Sequence, residues 1–215
     1  MSAKPTTDKG RRTREHLVNS GRAVFARVGY VDARMSDVAT EADISMGGLY
    51  RYFKNKEDLF AQVISDLHEK LYEASASHRQ DFATNPYRTL LESNRGYLTL
   101  YQENRDVMRA FIQAAHVEER FQDIWWDMRV RHIDRFVKAL AAVHGITEVD
   151  GADARVATEA MACMVEQSAY VWYAQERRHK TEVDVDSAAR IVARAWHQTF
   201  FAGTAPGTDT LSDRD

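Results

Sequence analysis

Apolar residues recur along this chain at the spacing of one face of an α-helix, and this periodicity constrains the fold more than any other feature. In residues 17–28 the apolar positions lie about 3.6 residues apart, as in a helix with one buried face. Gly29 follows where a glycine often ends a helix, and residues 59–71 repeat the pattern. No segment sustains the apolar–polar alternation of a half-buried strand, so we predict an all-α fold of about nine helices.

Few residues interrupt this helical pattern. The three prolines are at positions 5, 86 and 206. Pro86 is predicted to begin a helix, because the first turn does not need the N–H that proline lacks. The later helices are expected at about 106–116, 121–143, 152–178 and 186–202. Residues 1–10 and 204–215 are polar, and we expect both to be disordered tails.

Length and composition limit the class of protein. With 215 residues, 44% of them hydrophobic, the chain can bury one large core or one core with a small satellite domain. It contains no apolar run approaching the roughly 20 residues that span a bilayer and no apolar signal segment, so we expect a cytoplasmic protein without a membrane partner. The single cysteine, Cys163, excludes an internal disulfide and is predicted to be a small core residue.

Charge is distributed unevenly along the chain. The net charge is -3, but residues 1–60 contain 11 Lys and Arg against 8 Asp and Glu, whereas the remainder contains 18 against 24. This asymmetry favours a small anion-binding module at the N-terminus, although it also occurs in chains without such a partner.

Two short helices lie between the first two long ones. Residues 36–42 and 46–53 are both predicted to be helical, and residues 43–45 form a tight connection between them. This is the spacing of a helix-turn-helix, whose second helix enters the major groove of DNA. Ser45 is placed as the N-cap of that second helix, whose first-turn N–H groups are then available to a phosphate.

The stretch DVATEADISMGGLYRYFKNKEDLF, residues 37–60, resembles the DNA-binding domain of the tetracycline-repressor (TetR) family, and the likeness extends over residues 11–64. The resemblance implies an N-terminal three-helix DNA-binding domain, residues 11–56. It further implies a larger helical domain, residues 57–203, that binds a ligand and forms a homodimer. Helix 4 links the two domains in that family.

The resemblance also assigns roles to individual positions. Leu49 and Phe53 match the family's buried anchors, and Tyr50, Tyr52 and Lys56 match residues that meet the DNA backbone or a base edge. A tyrosine hydroxyl or an ammonium group can reach phosphate oxygens and so position the helix. The residues expected to contact operator DNA are Arg34, Ser36, Ser45, Met46, Gly47, Gly48, Tyr50, Arg51, Tyr52 and Lys56.

Two departures from the family pattern affect this segment. Gly48 stands where the family often has Ser, Thr or Ala, and Ala33 and Arg34 replace the threonines that usually precede helix 2, which leaves the cap of that helix open. Each glycine within a helix costs about 1 kcal/mol relative to alanine. The pair Gly47 and Gly48 therefore suggests that the backbone approaches the DNA closely.

The later helices are rich in aromatic residues and methionine, most of which we expect to be core. Adjacent Trp125 and Trp126 cannot both point inward on one face. Residues expected to line an effector site are Tyr101, Phe111, His116, Trp125, Met128, Met164 and Gln167, with a capping or surface role as the alternative for His116. We expect no metal site and no cofactor.

The last two long helices are expected to form the homodimer interface, as the resemblance implies. The predicted interface residues are Met161, Val165, Ala169, Trp172, Ile191, Ala195, Trp196 and Thr199. Packing within one chain is the alternative for the same residues.

Together these features predict a ligand-responsive, sequence-specific DNA-binding transcription regulator. The predicted mode of action is repression, relieved by an unknown small apolar or amphipathic effector. The alternatives are an activator of the same fold and, from a different class, a small helical enzyme. The sequence contains no paired-cysteine metal motif, phosphate-binding glycine loop or nucleophile elbow, so we predict that it is not an enzyme.

Overall fold

The computed structural model describes residues 7–76, 79–175 and 182–201, which are almost entirely helical. The all-α prediction is confirmed. In these ranges the α-helices are α1 Asp8–Asp32, α2 Met35–Glu41, α3 Met46–Tyr50, α4 Lys56–Ala74, α5 Arg79–Thr84, α6 Pro86–Glu103, α7 Arg105–Val117, α8 Glu119–His144, α9 Ala154–Ala169 and α10 Val185–Phe200.

Three elements were not predicted. They are α5, a two-stranded antiparallel ribbon of β1 (Glu148–Val149) and β2 (Ala152–Asp153), and a π-helical turn, Tyr170–Ala174, that continues α9. The helix predicted at 152–178 is therefore interrupted: its first residues belong to the ribbon, and its α-helical geometry ends at Ala169. Residues 176–181 lie outside the described ranges.

Two compact units divide the chain. The first comprises residues 1–70 and 104–128, and the second comprises residues 71–103 and 129–215, as far as each is described. The functional boundary expected between residues 56 and 57 stays a prediction.

The N-terminal tail is shorter than the sequence predicts. Helix α1 already begins at Asp8, where the Thr7 hydroxyl accepts a hydrogen bond from the Gly10 N–H at 3.1 Å, and Gly10 is buried. The first-turn carboxylate of Asp8 also suits the positive end of the helix dipole. Residues 1–6 and 204–215, the rest of the predicted tails, lie outside the described ranges.

Gly29 breaks α1 near its C-terminal end, as the sequence predicts. Its φ of 79° and ψ of 178° belong to a region that is essentially restricted to glycine. A Cβ added here would lie 2.5 Å from Oε1 of Gln113 on α7, and that same oxygen accepts a hydrogen bond from the Tyr30 N–H at 3.3 Å. Both backbone conformation and space therefore require glycine.

Aromatic rings form the centre of the first unit. Phe25 lies 4.4 Å from Phe60 between ring centroids, and Tyr30 lies 5.0 Å from Phe60. Phe121 packs edge-on against both Tyr30 and Phe60. This buried cluster holds α1, α4 and α8 together, and these helices support α2 and α3.

The second unit is built around α6 and α10. Pro86 is the first residue of α6, as predicted, and the Asn85 side chain caps that helix by accepting from the Arg88 N–H at 3.0 Å. On α10, Trp196 packs edge-on against Phe136 of α8, with ring centroids 4.8 Å apart. These contacts bury one face of α10 within the chain.

Candidate nucleic-acid interface

Helices α2 and α3 form a helix-turn-helix. The connection begins at Ala42 and passes through Asp43, whose φ of 51° is in the left-handed region that aspartate tolerates better than most residues. Helix α3 ends at Tyr50, earlier than the predicted Phe53, and the N–H groups of Tyr52 and Phe53 both bond to the Leu49 carbonyl, at 2.9 and 3.1 Å. The segment after Tyr50 is therefore a turn that closes tightly onto the helix.

Ser45 caps α3 as the sequence predicts. Its Oγ accepts a hydrogen bond from the Gly48 N–H at 3.2 Å, and its extended backbone stops the helix from beginning earlier. The two predicted anchors, Leu49 and Phe53, are both buried. Because these anchors face the core, the opposite side of α3 faces outward.

The cap of α2, which the sequence left open, is supplied by Asp37. Its carboxylate accepts a hydrogen bond from the Arg34 N–H at 3.1 Å, which is the backward half of a capping box. The Arg34 side chain has no acceptor group and cannot cap the helix itself. It is exposed beside Ser36.

The two glycines of α3 differ in their surroundings. A Cβ added at Gly47 would have no atom within 4 Å, whereas a Cβ added at Gly48 would lie 3.3 Å from the Ser45 Oγ. Gly48 is therefore explained at least partly by the cap within the chain. Only Gly47 is left without an internal reason to be glycine.

Most of the residues expected to contact DNA are accessible, and we call them together the recognition surface. Tyr50 is the most informative, because a large aromatic ring that is 49% exposed has no role in the core. Gly48 and Tyr52 are partly covered. The exposed members are Arg34, Ser36, Ser45, Met46, Gly47, Tyr50 and Arg51.

Lys56 has partners inside the protein, which the sequence analysis did not anticipate. Its Nζ donates to the carbonyl oxygens of Tyr30 at 2.9 Å and Val31 at 3.3 Å, and lies 4.4 Å from the centre of the Tyr30 ring. The lysine thus neutralises the carbonyl groups at the C-terminal end of α1. This geometry gives Lys56 a structural role, and its contact with DNA stays a prediction.

Tyr30 extends this structural cluster. Its hydroxyl donates to a carboxylate oxygen of Glu118 at 2.9 Å and lies 3.5 Å from one of Glu57. Burial, followed by the hydrogen bond to Glu118, raises the pKa of Tyr30 above its usual value, so the hydroxyl keeps its proton and remains a donor.

The family described as "Bacterial regulatory proteins, tetR family" matches residues 17–63, which contain the whole helix-turn-helix. In this segment the chain is similar to the DNA-binding part of tetR-family regulators. Among its relatives, the HTH-type transcriptional repressor DhaR of Mycobacterium sp. (strain GP1) is 31% identical over 77 residues, 36% of this chain and 39% of DhaR.

Two further comparisons extend the likeness beyond the helix-turn-helix. The HTH-type transcriptional repressor KstR2 of Mycolicibacterium smegmatis is 26% identical over 130 residues, 54% of this chain and 62% of KstR2. A tetR-family transcriptional regulator from Streptomyces coelicolor superimposes with a TM-score of 0.72 at 17% identity, covering 87% of this chain and 80% of that one. The structural match establishes the fold. The matched segments span less than two thirds of the length of DhaR and KstR2.

The residues predicted to line an effector site are not brought together in one unit. Phe111, His116, Trp125 and Met128 belong to the first unit, whereas Tyr101, Met164 and Gln167 belong to the second. Phe111 is buried in the first unit's aromatic core, 6.5 Å from the Phe121 ring between centroids, and its place in an effector site stays a prediction.

The exposed members of that set also have other surroundings than predicted. The His116 Nδ1 lies 2.6 Å from the carbonyl oxygen of Ile112 in the preceding turn, so the alternative of a surface histidine at a helix end applies. Trp125 and Trp126 are 45% and 59% exposed, so neither points into the core. Gln167 is exposed as well.

The predicted dimer residues divide into two groups. Val165, Ala169 and Trp196 are buried within the chain, which contradicts their assignment to an intermolecular surface, and the Thr199 hydroxyl is 3.5 Å from the Met161 sulfur of the same chain. The remaining residues are partly accessible, and Ile191 is 65% exposed.

Cys163 is exposed, which corrects the prediction that it is a core residue. It lies on the outward stripe of α9, with Val156 and Gln167 on the same face. Helical periodicity predicts which residues share one face of a helix, but it identifies the buried face only when the other face is polar. Because α9 has apolar and small residues on its outer face as well, Cys163 was assigned to the wrong face.

A largely buried ion pair in the second unit was not predicted from the sequence. Arg129 of α8 donates to Glu166 of α9 at 2.9 Å, and the two side chains are only 9% and 26% exposed. The two residues are 37 positions apart. No local pattern links them, so the sequence carried no signal for the pair.

The described residues hold no group of three or more His, Cys, Asp or Glu side chains arranged to bind a metal. Within the same part of the chain, none of the helices combines the length and apolar composition that crossing a membrane requires.

Proposed function

We propose that this protein is a homodimeric, sequence-specific DNA-binding transcription regulator of the cytoplasm. Its expected action is repression, which a small apolar or amphipathic effector relieves. The observation that carries the DNA-binding part is the geometry of α3: the Ser45 cap and the buried anchors Leu49 and Phe53 turn Met46, Gly47 and Tyr50 outward. In a helix-turn-helix, this is the side that enters the major groove.

The recognition surface is suited to both kinds of contact that DNA offers. Arg34 and Arg51 are exposed cations at its edges, suited to phosphates. Tyr50 combines a hydroxyl with an apolar ring, so it can meet a phosphate or a thymine methyl group. Gly47 adds no side chain, which lets the backbone approach the duplex.

Fluorescence anisotropy tests DNA binding directly. The probe is the DNA upstream of the protein's own gene, compared with a shuffled duplex of equal length over a range of salt concentrations. We expect tighter binding to the native sequence and a log affinity that falls linearly with log salt, by about 0.9 per phosphate contact. Equal affinity for both duplexes, or no salt dependence, contradicts the proposal.

Gly47→Val tests whether α3 approaches DNA closely. A valine side chain has room in the free protein and is no poorer a helix former than glycine, so fold and stability should be kept. Binding to the upstream DNA should weaken at least tenfold if the backbone lies against the duplex, which corresponds to about 1.4 kcal/mol. Undiminished binding by a normally folded Gly47→Val protein refutes close approach.

A homodimer is supported by apolar side chains left exposed on the two helices expected to form it. Ile191 on α10 and Val156 on α9 are 65% and 58% exposed. We expect Ile191→Glu to convert the dimer to a monomer in light scattering after size-exclusion chromatography. The matched control is Val117→Glu, an equally exposed apolar residue on α7, which should leave the mass unchanged.

The direction of regulation and the effector need separate tests. Deletion of the gene should raise expression of a reporter placed behind the upstream DNA, whereas a fall identifies the activator alternative. An effector acts by binding more tightly to a conformation that binds DNA poorly, so it must lower DNA affinity in the purified system.

A further inference from the structure

Helix α3 presents two apolar side chains to solvent. Met46 and Tyr50 are both exposed, and because they are four residues apart they lie on the same side of the helix. Gly47 lies almost opposite the buried Leu49, and the space where its Cβ would lie is open. The outward side of α3 therefore consists of an apolar pair beside a position without a side chain.

The side chains of α3 limit which base the helix can identify. In the major groove, arginine or lysine recognises guanine, asparagine or glutamine recognises adenine, and aspartate or glutamate recognises cytosine, in each case through hydrogen bonds. The sequence of α3, MGGLY, contains none of these residue types. Thymine differs from the other bases because its 5-methyl group is identified by apolar contact. Thymine is therefore the base that the side chains of α3 can recognise.

The polar residues at the two ends of α3 suit the sugar–phosphate backbone. Ser45 immediately precedes the helix and Arg51 immediately follows it, and both are exposed. The Ser45 Oγ already accepts a hydrogen bond from the Gly48 N–H, which leaves its O–H free to donate to a phosphate oxygen. Residues 1–60 also have more cationic than anionic side chains, 11 Lys and Arg against 8 Asp and Glu. An apolar helix between a donor and a cation, on a positively charged module, is complementary to a major groove that contains thymine.

We propose that Met46 and Tyr50 are specificity-determining residues that recognise the 5-methyl group of a thymine in the operator. This inference rests on the proposed function, because it takes α3 as the helix that enters the major groove. Met46 is unbranched and adaptable, so it can follow the position of the methyl group, and the Tyr50 ring provides a rigid apolar surface next to it. Burying one methyl-sized group contributes about 0.8 kcal/mol, which corresponds to about fourfold in affinity.

Deoxyuridine substitution tests this contact without altering the protein. Each thymidine of the shortest upstream duplex that keeps full affinity is replaced in turn by deoxyuridine, which differs from thymidine only in lacking the 5-methyl group. Fluorescence anisotropy with the full-length protein measures each affinity. We expect at least one substitution to weaken binding about fourfold, while most of the others leave it unchanged. If every deoxyuridine duplex binds as tightly as the native one, the proposal is overturned.

Methylated cytosine separates the methyl group from the other features of thymine. The sensitive T·A pair is replaced by a C·G pair, with and without a 5-methyl group on the cytosine, where it occupies the same place in the groove. The methylated duplex should bind about fourfold more tightly, because only the methyl group differs between the two. Equal affinity would show that the thymine O4 atom or the shape of the duplex is recognised, and would overturn the proposal.

Variants of the two side chains assign the contact. Met46→Ala shortens an exposed side chain and introduces a good helix former, so the melting temperature should be kept. Its preference for thymidine over deoxyuridine at the sensitive position should fall below about twofold, whereas Met46→Leu keeps the apolar volume and should retain the preference. Tyr50→Phe removes only the hydroxyl and should retain it too, and its loss there would contradict contact through the ring. A full preference in folded Met46→Ala would refute the role of Met46.

Two different results distinguish a wrong base contact from a wrong function. Equal binding to the native and shuffled duplexes, neither of which contains a modified base, refutes both the sequence-specific function and the thymine contact. Tighter binding to the native duplex, combined with no effect of deoxyuridine at any position, leaves the DNA-binding function standing and overturns only the thymine contact.

Discussion

Lys56→Met separates a structural role from a DNA-contacting role for the same lysine. The substitution keeps most of the apolar stem and removes an ammonium that donates to the carbonyls of Tyr30 and Val31. Hydrogen bonds to charged groups contribute roughly 1.5–3 kcal/mol when well formed, and a cation over an aromatic ring contributes about 0.5–1 kcal/mol at accessible sites. The 3.3 Å bond is long and the lysine is only partly buried, so we expect a loss of about 2–3 kcal/mol.

Two measurements define the outcome. For a chain of this size, each kcal/mol shifts the melting temperature by about 2–4 °C, so a loss of about 2–3 kcal/mol should make Lys56→Met melt roughly 4–12 °C lower than wild type. In the anisotropy titration, loss of a phosphate contact changes the slope of log affinity against log salt by about 0.9. We expect an unchanged slope for Lys56→Met, because its ammonium is already engaged within the protein.

Arg51→Met is the matched control. Arg51 is exposed just after α3, so its removal should change stability by less than about 0.5 kcal/mol while reducing the salt slope by about 0.9. If Lys56→Met instead keeps its melting temperature and reduces the salt slope as Arg51→Met does, the structural assignment of Lys56 is refuted.

Three further substitutions test the fold and the ion pair of Arg129 and Glu166. Gly29→Ala should lower the free energy of unfolding in urea by about 2–4 kcal/mol, because alanine is strained at this φ and ψ and its Cβ would collide with Gln113. Gly145→Ala, also at positive φ but with open space around the new Cβ, is the control and should cost about 1 kcal/mol. Equal losses in the two variants would contradict the steric role of Gln113. Arg135→Met should lower the free energy of unfolding by about 2–4 kcal/mol, because Arg135 donates to the carbonyls of Tyr72 and Ser75. It should also accelerate hydrogen exchange at the C-terminal end of α4, and unchanged exchange there would exclude a capping role for Arg135. Glu166 binds its proton more tightly in the folded protein than in the unfolded chain, so the free energy of unfolding should fall as the pH rises from about 5 to 8. The fall should be about 2–3 kcal/mol larger in wild type than in Glu166→Gln. Parallel pH profiles of the two proteins in urea titrations would contradict a raised pKa of Glu166.

Features determined by neighbours in sequence could be predicted well. The cap at Ser45, the helix start at Pro86 and the break at Gly29 depend on residues within one helical turn, and all three are confirmed. The buried anchors Leu49 and Phe53 were obtained from the family resemblance and are confirmed as well. Even here local rules gave incomplete answers: α3 ends at Tyr50 because the turn after it bonds back to the Leu49 carbonyl, which no propensity scale indicates.

Features determined by distant partners could not be predicted. Nothing near Lys56 in the sequence indicates that it faces the carbonyls of Tyr30 and Val31, 26 and 25 residues away. The pair of Arg129 and Glu166 is equally non-local. For the same reason the sequence could not show which stripe of α9 is buried, so Cys163 was assigned to the core although it is exposed.

The glycine pair illustrates how such partners change the interpretation of a motif. Judged by helix propensity alone, Gly47 and Gly48 destabilise α3 to the same extent. In the structure, Gly48 has the Ser45 hydroxyl close to where its Cβ would lie, whereas the position of a Gly47 Cβ is open. Substitutions at Gly48 therefore combine an effect on the cap with any effect on DNA, and only Gly47 isolates the second.

The short length of α3 links DNA binding to the stability of the first unit. A five-residue helix is not stable by itself, so its orientation depends on the burial of Leu49 and Phe53 and on the Ser45 cap. The contact between Lys56 and Tyr30 holds α4 against α1, and these two helices belong to the core that supports α3. Variants of Lys56 or Tyr30 should therefore lower DNA affinity by populating forms in which α3 is misoriented, while the slope of log affinity against log salt stays unchanged. Variants of the recognition surface that remove a phosphate contact should change that slope and leave the stability unchanged. A plot of salt slope against melting temperature then separates the two groups of residues, and a single correlated line through both would contradict the distinction.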